Sequence, residues 1–382
     1  MNEDSPHVIK ILRKNELFYN AEFFILKAGQ NDIEVFLNQF CAEKRFYNNK
    51  KKQHCGKENQ MEERCEVTAQ QIIDEIEKTV KGKRACITKA LAAILAGGHI
   101  LIEDVPGVGK TTLAMAFSRV LKLPYRRLQF TPDVLPSDVT GFSMYRKETG
   151  EFVYCPGPVM CSLFLADEIN RTLPKTQSAL LEVMEEGSVT VDGVTREVPK
   201  PFIVMATQNP KGSAGTQPLP ESQLDRFMLC MSMGYPAEAD EIAIAKGKSV
   251  RDGSGQQQQL LDIDGLLQMQ RQAEAVYVQD TVYRYIVRLV SATRENGNIE
   301  LGVSPRGTIA ITKMAKAQAY LQGRDYVLPA DVKEVFADVT RHRIVLGSKA
   351  RMARQTAENV MTEIIRTVPA PSIQKEKREY HA

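Results

Sequence analysis

Short unbroken apolar runs alternate, from residue 99 to 209, with stretches whose apolar residues fall three or four apart. The runs are "HILIE" at 99–103, "SLFLADE" at 162–168 and "PFIVMATQN" at 201–209. Apolar runs this short, without polar alternation, predict strands buried on both faces. After the first run, Leu113, Phe117, Val120 and Leu121 recur at helical spacing. Strands of this kind separated by helices predict an α/β fold, a parallel sheet with helices on both faces. All three runs end in polar residues, at the strand ends where such sheets bind ligands. Two hairpins interrupt the alternation. "GFSMYRKETGEFVY" has strand-like arms around Thr149-Gly150, and "GSVTVDGVTREV" places Asp192-Gly193 between alternating arms, a strong tight-turn signal. After Tyr235-Pro236 helical patterns run to about 371, predicting a smaller all-helical lid domain, with "RDGSGQQQQ" as a flexible loop.

Four segments follow. Residues 1–60 are aromatic-rich and end in the polar, basic "NNKKKQHCGKENQ", so they read as an accessory or poorly ordered extension. A typical helical run opens at Met61, giving an α/β core at 61–235, a helical domain at 236–371 and a charged tail at 372–382.

Composition narrows the class. Fifty basic against 47 acidic residues leave a net charge of +3, too even to point to nucleic acid or a membrane surface. Seven scattered cysteines without C-x-x-C form neither a disulfide framework nor a zinc site, which suits a reducing compartment. No apolar run approaches the roughly 18 residues of a membrane span, and "MNEDSPHVIK" lacks the form of a signal peptide, so the expectation is a cytoplasmic protein.

The candidate chemistry starts at "EDVPGVGKTT", residues 103–112. A phosphate loop reads Gly, four residues, then Gly-Lys-Ser/Thr, and here Asp104 stands at the first Gly. From Asp104 and Val105 through Pro106, Gly107, Val108 and Gly109 to Lys110, Thr111 and Thr112, the stretch predicts a tight turn whose amides face anionic oxygens at a helix start. Lys110 would reach the β- and γ-phosphates, and Thr111 would ligate Mg²⁺. Asp tolerates left-handed backbone, and its carboxylate is expected to point away from the phosphates. Asp167 is a candidate Mg²⁺ ligand and Glu168 a candidate general base for an attacking water, although two acids at a strand end also cap helices. Asn209 can hydrogen-bond water and γ-phosphate, or simply start a turn before Pro210. Arg226 in "LPESQLDRF" either completes a neighbouring subunit's site or pairs with Asp225 or Glu221. Arg306 in "GVSPRG", at a predicted helix start, either reaches back to the γ-phosphate or is a surface arginine.

Together "LIEDVPGVGKTTLA", "LFLADEINRTLPKTQSALLEVMEEG", "PFIVMATQNP", "LPESQLDRF" and "GVSPRG" resemble the MoxR family of AAA+ ATPases, from roughly 66 to 371. The family's sequences also carry Asp at the first loop position. The resemblance implies that Lys110 and Thr111 are Walker A, Asp167 and Glu168 Walker B, Asn209 sensor 1, Arg226 the arginine finger and Arg306 sensor 2. It equates the two hairpins with the helix-2 insert and the pre-sensor-1 hairpin. "VKGK", Val80 to Lys83, falls where the family has a segment near adenine, with Lys83 in place of the usual Gln. The resemblance further implies ATP and Mg²⁺, a homo-oligomeric ring, usually a hexamer, and a chaperone-like ATPase that assembles or activates partner proteins or inserts metal cofactors. A partner bearing a von Willebrand factor A domain often accompanies such proteins. Alternatives are the ATPase subunit of a metal chelatase, a DNA-remodelling motor, against which the charge balance argues, and a non-hydrolysing nucleotide-gated scaffold.

Overall fold

Thr68 shows how local sequence starts the fold. Its hydroxyl accepts the Gln71 N–H at 3.3 Å while Gln71 accepts the Thr68 N–H at 2.7 Å, a capping box that opens α1 (Ala69–Glu77). The computed structural model describes residues 67–209, 216–246 and 257–371. The expectations for 1–60, the tail at 372–382, Pro210 and most of "RDGSGQQQQ" lie outside the described residues. After α1 come α2 (Arg84–Leu95), β1 (Ile100–Glu103) and α3 (Lys110–Val120). Then follow β2 (Tyr125–Gln129), α4 (Pro136–Thr140), the hairpin β3 (Gly141–Arg146) and β4 (Glu151–Pro156), and β5 (Leu163–Asp167). Helix α5 (Pro174–Glu186) leads to the hairpin β6 (Ser188–Val191) and β7 (Val194–Glu197), then β8 (Ile203–Gln208), α6 (Glu221–Leu224) and β9 (Leu229–Met231).

Five strands form one parallel sheet in the order β2-β5-β8-β1-β9. The three predicted strands are its interior, and Leu101, Phe164, Leu165, Val204 and Met205 are fully buried, as strands covered on both faces must be. The two edge strands were not visible in the pattern. β2, "YRRLQ", is half covered and mostly polar, and β9 is three residues long. Leu113, Phe117, Val120 and Leu121 are all buried, the first three on α3 and the last at its C-cap.

Both hairpins form where the turn residues place them. Asp192 and Gly193 take φ of 52° and 75°, the pair of positive angles that a two-residue type I′ turn requires. β3 and β4 pair from Gly141–Pro156 to Arg146–Glu151, around Thr149-Gly150. The Arg196 guanidinium lies 4.1 Å from the Tyr154 ring centre and joins one hairpin to the other by a cation–π contact.

Beyond the sheet lie α7 (Glu238–Ala245), α8 (Ile263–Ala275), α9 (Asp280–Glu295), α10 (Pro305–Leu321), α11 (Pro329–Thr340), α12 (Ser348–Met352) and α13 (Ala357–Thr367). This helical lid buries Tyr285, Leu289, Met314 and Phe336 among its helices. The all-helical expectation needs one correction. β10 (Ile299–Leu301) and β11 (Val345–Leu346) pair antiparallel between α9 and α12. Strands of three and two residues have too short a period to read from sequence. The buried Arg343 fastens the lid to the sheet domain: its Nε donates to Asp225 Oδ1 at 2.8 Å, and its other nitrogens to the Phe227, Met228 and Val339 carbonyls. The Ser304 hydroxyl, which also N-caps α10, donates to Asp225 Oδ2 at 2.8 Å.

Candidate functional site

The loop after β1 turns sharply into α3. Gly107 and Gly109 have φ of 87° and 96°. A Cβ on Gly107 would meet nothing within 4 Å and one on Gly109 only Met233 at 3.9 Å, so the backbone angle and not space requires glycine there. Gly109 is the N-cap of α3, and no side chain bonds the first-turn amides from that position. Those N–H groups and the helix dipole therefore favour an anionic ligand. Lys110 is 8% exposed and donates its Nζ to the Asp104 carbonyl at 2.7 Å. Burial pushes its pKa below the ordinary lysine value, and the charges of Asp104, Asp167 and Glu168 oppose that shift.

Asp104 is not in the left-handed region, contrary to the expectation that a backbone angle explains this position. Its carboxylate does turn from the phosphate side. Oδ1 accepts the Val105 N–H at 2.9 Å, and Oδ2 accepts the Ser232 hydroxyl at 2.9 Å and the Met233 and Gly234 N–H groups, each at 2.7 Å. Burial alone would raise its pKa. The bonds from Gly234, Ser232, Val105 and Met233 outweigh that and hold the carboxyl below its usual value. Lys83 is buried too, and its Nζ donates to the carbonyls of Met233, Gly234 and Tyr235, so the ammonium is already engaged by the chain's own backbone.

Across the pocket, Asp167 ends β5. Its Oδ1 accepts the Thr207 hydroxyl at 2.6 Å and its Oδ2 accepts Arg127 at 2.6 Å. Glu168 follows with φ of 58°, an uncommon angle for a side-chain-bearing residue. Thr207 stabilises this turn by accepting the Glu168 N–H at 2.8 Å. The Glu168 Oε2 accepts Arg171 at 2.8 Å, and Oε1 accepts the Asn209 Nδ2 at 3.3 Å. The Arg171 bond, opposed by burial and helped by Asn209, holds the Glu168 carboxyl below its usual pKa, so it is ionised at neutral pH. The buried Asn170 clasps Asn209: its Nδ2 donates to the Asn209 carbonyl at 3.1 Å and its Oδ1 accepts the Asn209 N–H at 3.3 Å.

One cavity at the carboxyl end of the sheet is thus lined by Pro106, Gly107 and Gly109 to Thr112 of the loop, by Asp167, Glu168 and Asn209, and by Arg127 and Gln129. Asp104 is absent from that lining, and Val105 and Val108 are half-buried at the loop's flank. The donor set fits a polyphosphate: capless helix amides, a buried ammonium and opposed carboxylates. Among the described residues no cluster of three or more His, Cys, Asp or Glu can hold a metal alone. A cation here would draw on phosphate oxygens beside Thr111 and Asp167, the usual manner for Mg²⁺.

Arg226 and Arg306 do not join this cavity. Both line a second one, where Arg226 pairs with Glu185 Oε2 at 3.0 Å and Arg306 with Glu185 Oε1. Arg226 also donates to the Leu181 carbonyl. The expected intrachain partners, Asp225 and Glu221, are not used, because Asp225 is held by Arg343 and Ser304. Arg306 sits in the first turn of α10 as expected, yet it does not reach its own chain's phosphate cavity. Sequence reasoning missed Arg127, Gln129, Asn170, Arg171 and Thr207. Arg127 and Gln129 lie two apart near the end of a strand, the one pattern that points to a shared face.

Residues 99–229 match the model of the ATPase family associated with various cellular activities (AAA), and residues 291–364 match the AAA lid domain. Over 299 residues the chain is 46% identical to the uncharacterized protein YeaC of Bacillus subtilis, covering 78% of this chain and 93% of that one. It is 39% identical over 324 residues to the chaperone MoxR1 of Mycobacterium tuberculosis, covering 82% and 85%. A crystal structure of a protein assigned as an ATPase from Cytophaga hutchinsonii superposes with a TM-score of 0.74 at 38% identity, covering 79% of this chain and 94% of the other.

Proposed function

The chain belongs to the MoxR family of AAA+ ATPases, and from that premise we propose that it is a ring-forming, chaperone-like enzyme coupling ATP hydrolysis to remodelling of partner proteins. ATP hydrolysis itself follows from the family. The observation that carries the residue assignment is the convergence of Lys110, Thr111, Asp167, Glu168 and Asn209 on one cavity, with Arg226 and Arg306 outside it.

In this reading the amides from Gly107 to Thr112 and the Lys110 ammonium bind the β- and γ-phosphates. Thr111 and Asp167 would hold Mg²⁺, which would neutralise phosphate charge. Thr207 and Arg127 set the orientation of Asp167. Glu168 accepts a proton from the water that attacks the γ-phosphorus, and Asn209, clasped by Asn170, orients that water. Breaking the bond to the β–γ bridging oxygen then releases ADP and phosphate. Arg226 and Arg306, bridged by Glu185 and remote from their own cavity, serve the site of an adjacent subunit, which requires a ring, in this family a hexamer. We divide the working chain into a core at 61–235 and a lid at 236–371, because every strand of the five-stranded sheet precedes 235. The near-neutral charge suits a cytoplasmic protein acting on protein clients. Among them is a partner bearing a von Willebrand factor A domain, and the work includes metal or cofactor insertion.

The test is a pair of substitutions. Lys110→Ala weakens ATP binding. Glu168→Gln keeps binding and lowers phosphate release by about two to four orders of magnitude, the range for a lost general base. Near-normal turnover with Gln at 168 assigns the base elsewhere. Proteins that co-purify with the stalled, ATP-loaded Glu168→Gln chain, and not with Lys110→Ala, are its clients.

A further inference from the structure

The segment Ser232–Tyr235 leaves β9 and leads through Pro236 into α7, the first helix beyond the sheet. It is bonded on both of its polar sides by oppositely charged, buried side chains. The Asp104 carboxylate takes its N–H groups at Met233 and Gly234, and the Lys83 ammonium takes its carbonyls at Met233, Gly234 and Tyr235. Asp104 has a second end: its carbonyl is the acceptor of Lys110 Nζ. Nothing in the loop's backbone requires Asp at 104. Helix α7 also packs closely on Gly82, the neighbour of Lys83, because a Cβ on Gly82 would lie 2.0 Å from Asp240 Oδ2.

We propose that Asp104 and Lys83 are positioning residues that bind the Ser232–Tyr235 connector to the phosphate loop, so that phosphate capture by Lys110 is relayed to α7. The inference rests on the assignment of Lys110 to the phosphates. A phosphate oxyanion is a stronger acceptor of an ammonium than a neutral carbonyl. When Lys110 bonds phosphate, it loosens its hold on the Asp104 carbonyl, and the Asp104 carboxylate holds the connector at its other end. A ligand shifts a conformational equilibrium only through contacts that differ between the two states, and the Lys110–Asp104 bond is such a contact.

The test uses the full chain, with phosphate release measured from ATP, and nucleotide binding and backbone hydrogen exchange measured with and without Mg²⁺ and ATPγS. In the unmodified chain nucleotide changes exchange over residues 232–246. Asp104→Gly and Lys83→Met keep nucleotide affinity within about 5-fold, lose that exchange response, and lower kcat about 10-fold or more with little change in KM. Lys83→Gln, which restores two donors, recovers a large part of the response, as mere filling of space by Met does not. Thermal melts of the two variants guard against simple unfolding. If both variants bind nucleotide and show the unmodified exchange response and kcat, the inference is overturned while the phosphate-site assignment stands. An unmodified chain that binds no nucleotide overturns both.

Discussion

Arg226→Ala separates a structural arginine from a catalytic one by magnitude. In its own chain Arg226 makes a half-exposed ion pair with Glu185 at 3.0 Å and a bond to the Leu181 carbonyl. An exposed pair is worth roughly 0–1 kcal/mol, and an ordinary hydrogen bond about 1 kcal/mol net. Loss of both costs about 1–2 kcal/mol against a typical folding stability of roughly 5–15 kcal/mol. The folded fraction would then be almost unchanged, and so would turnover, if Arg226 served only its own fold. An arginine supplied to a neighbour's phosphoryl transfer is worth about 10³–10⁵ in rate, or roughly 4–7 kcal/mol of barrier. The two readings therefore differ by at least about three orders of magnitude in phosphate release. The assay measures release per chain, ATP affinity and the melt of the same preparation. The expected result is a small shift in melt, nearly intact affinity and turnover lost. Mixing then distinguishes sites within a ring. Lys110→Ala retains the arginine, Arg226→Ala retains a whole nucleotide cavity, and mixed rings should recover part of the activity. Turnover within about 10-fold of the unmodified chain, or no recovery in rings shown to be mixed, refutes the reasoning.

Two further outcomes test the rest of the chain. A protein beginning at Met61 should melt cooperatively and hydrolyse ATP like the full chain, because the described fold opens with its own capping box at Thr68; loss of either property would place the aromatic stretch before Met61 within the working fold. The pH dependence of stability should show His99. Its Nδ1 accepts the Val204 N–H and its Nε2 faces the Met184 carbonyl, each at 3.1 Å, and burial lowers its pKa from 6.5 to about 4. Between those values the unfolded chain binds a proton that the folded chain refuses. Stability therefore rises with pH through this window, and as pH falls from 6.5 to 4 about 3 kcal/mol is lost from this group. Half-buried His342, also lowered, adds in the same direction. Denaturant unfolding from pH 4 to 7 measures the slope, and His99→Asn should flatten it; an unchanged slope would mean that His99 is not held neutral between the Val204 N–H and the Met184 carbonyl.

Features that local physics writes contiguously were legible in the amino-acid order. A buried strand, a glycine turn and a helix start are neighbours in the chain, so the loop at 104–112 and the strand ending in Asp167 and Glu168 were legible as one kind of site. Asp192-Gly193 was legible because its turn angles depend on two residues alone. The lid ribbon β10–β11 and edge strand β9 were not, being too short for a period to show. Which charges meet is set by long-range packing. Arg226 and Arg306 share Glu185, though Arg306 and Glu185 are 121 residues apart, and Arg127 reaches Asp167 from the strand beside it. Asp104 is the clearest case. From sequence its carboxylate was expected to point away from the phosphates, but what it pointed toward was unknown, because its partners at Ser232, Met233 and Gly234 lie 128–130 residues away. A buried charge must find donors, and which donors it finds is set by how the sheet brings β1 beside β9.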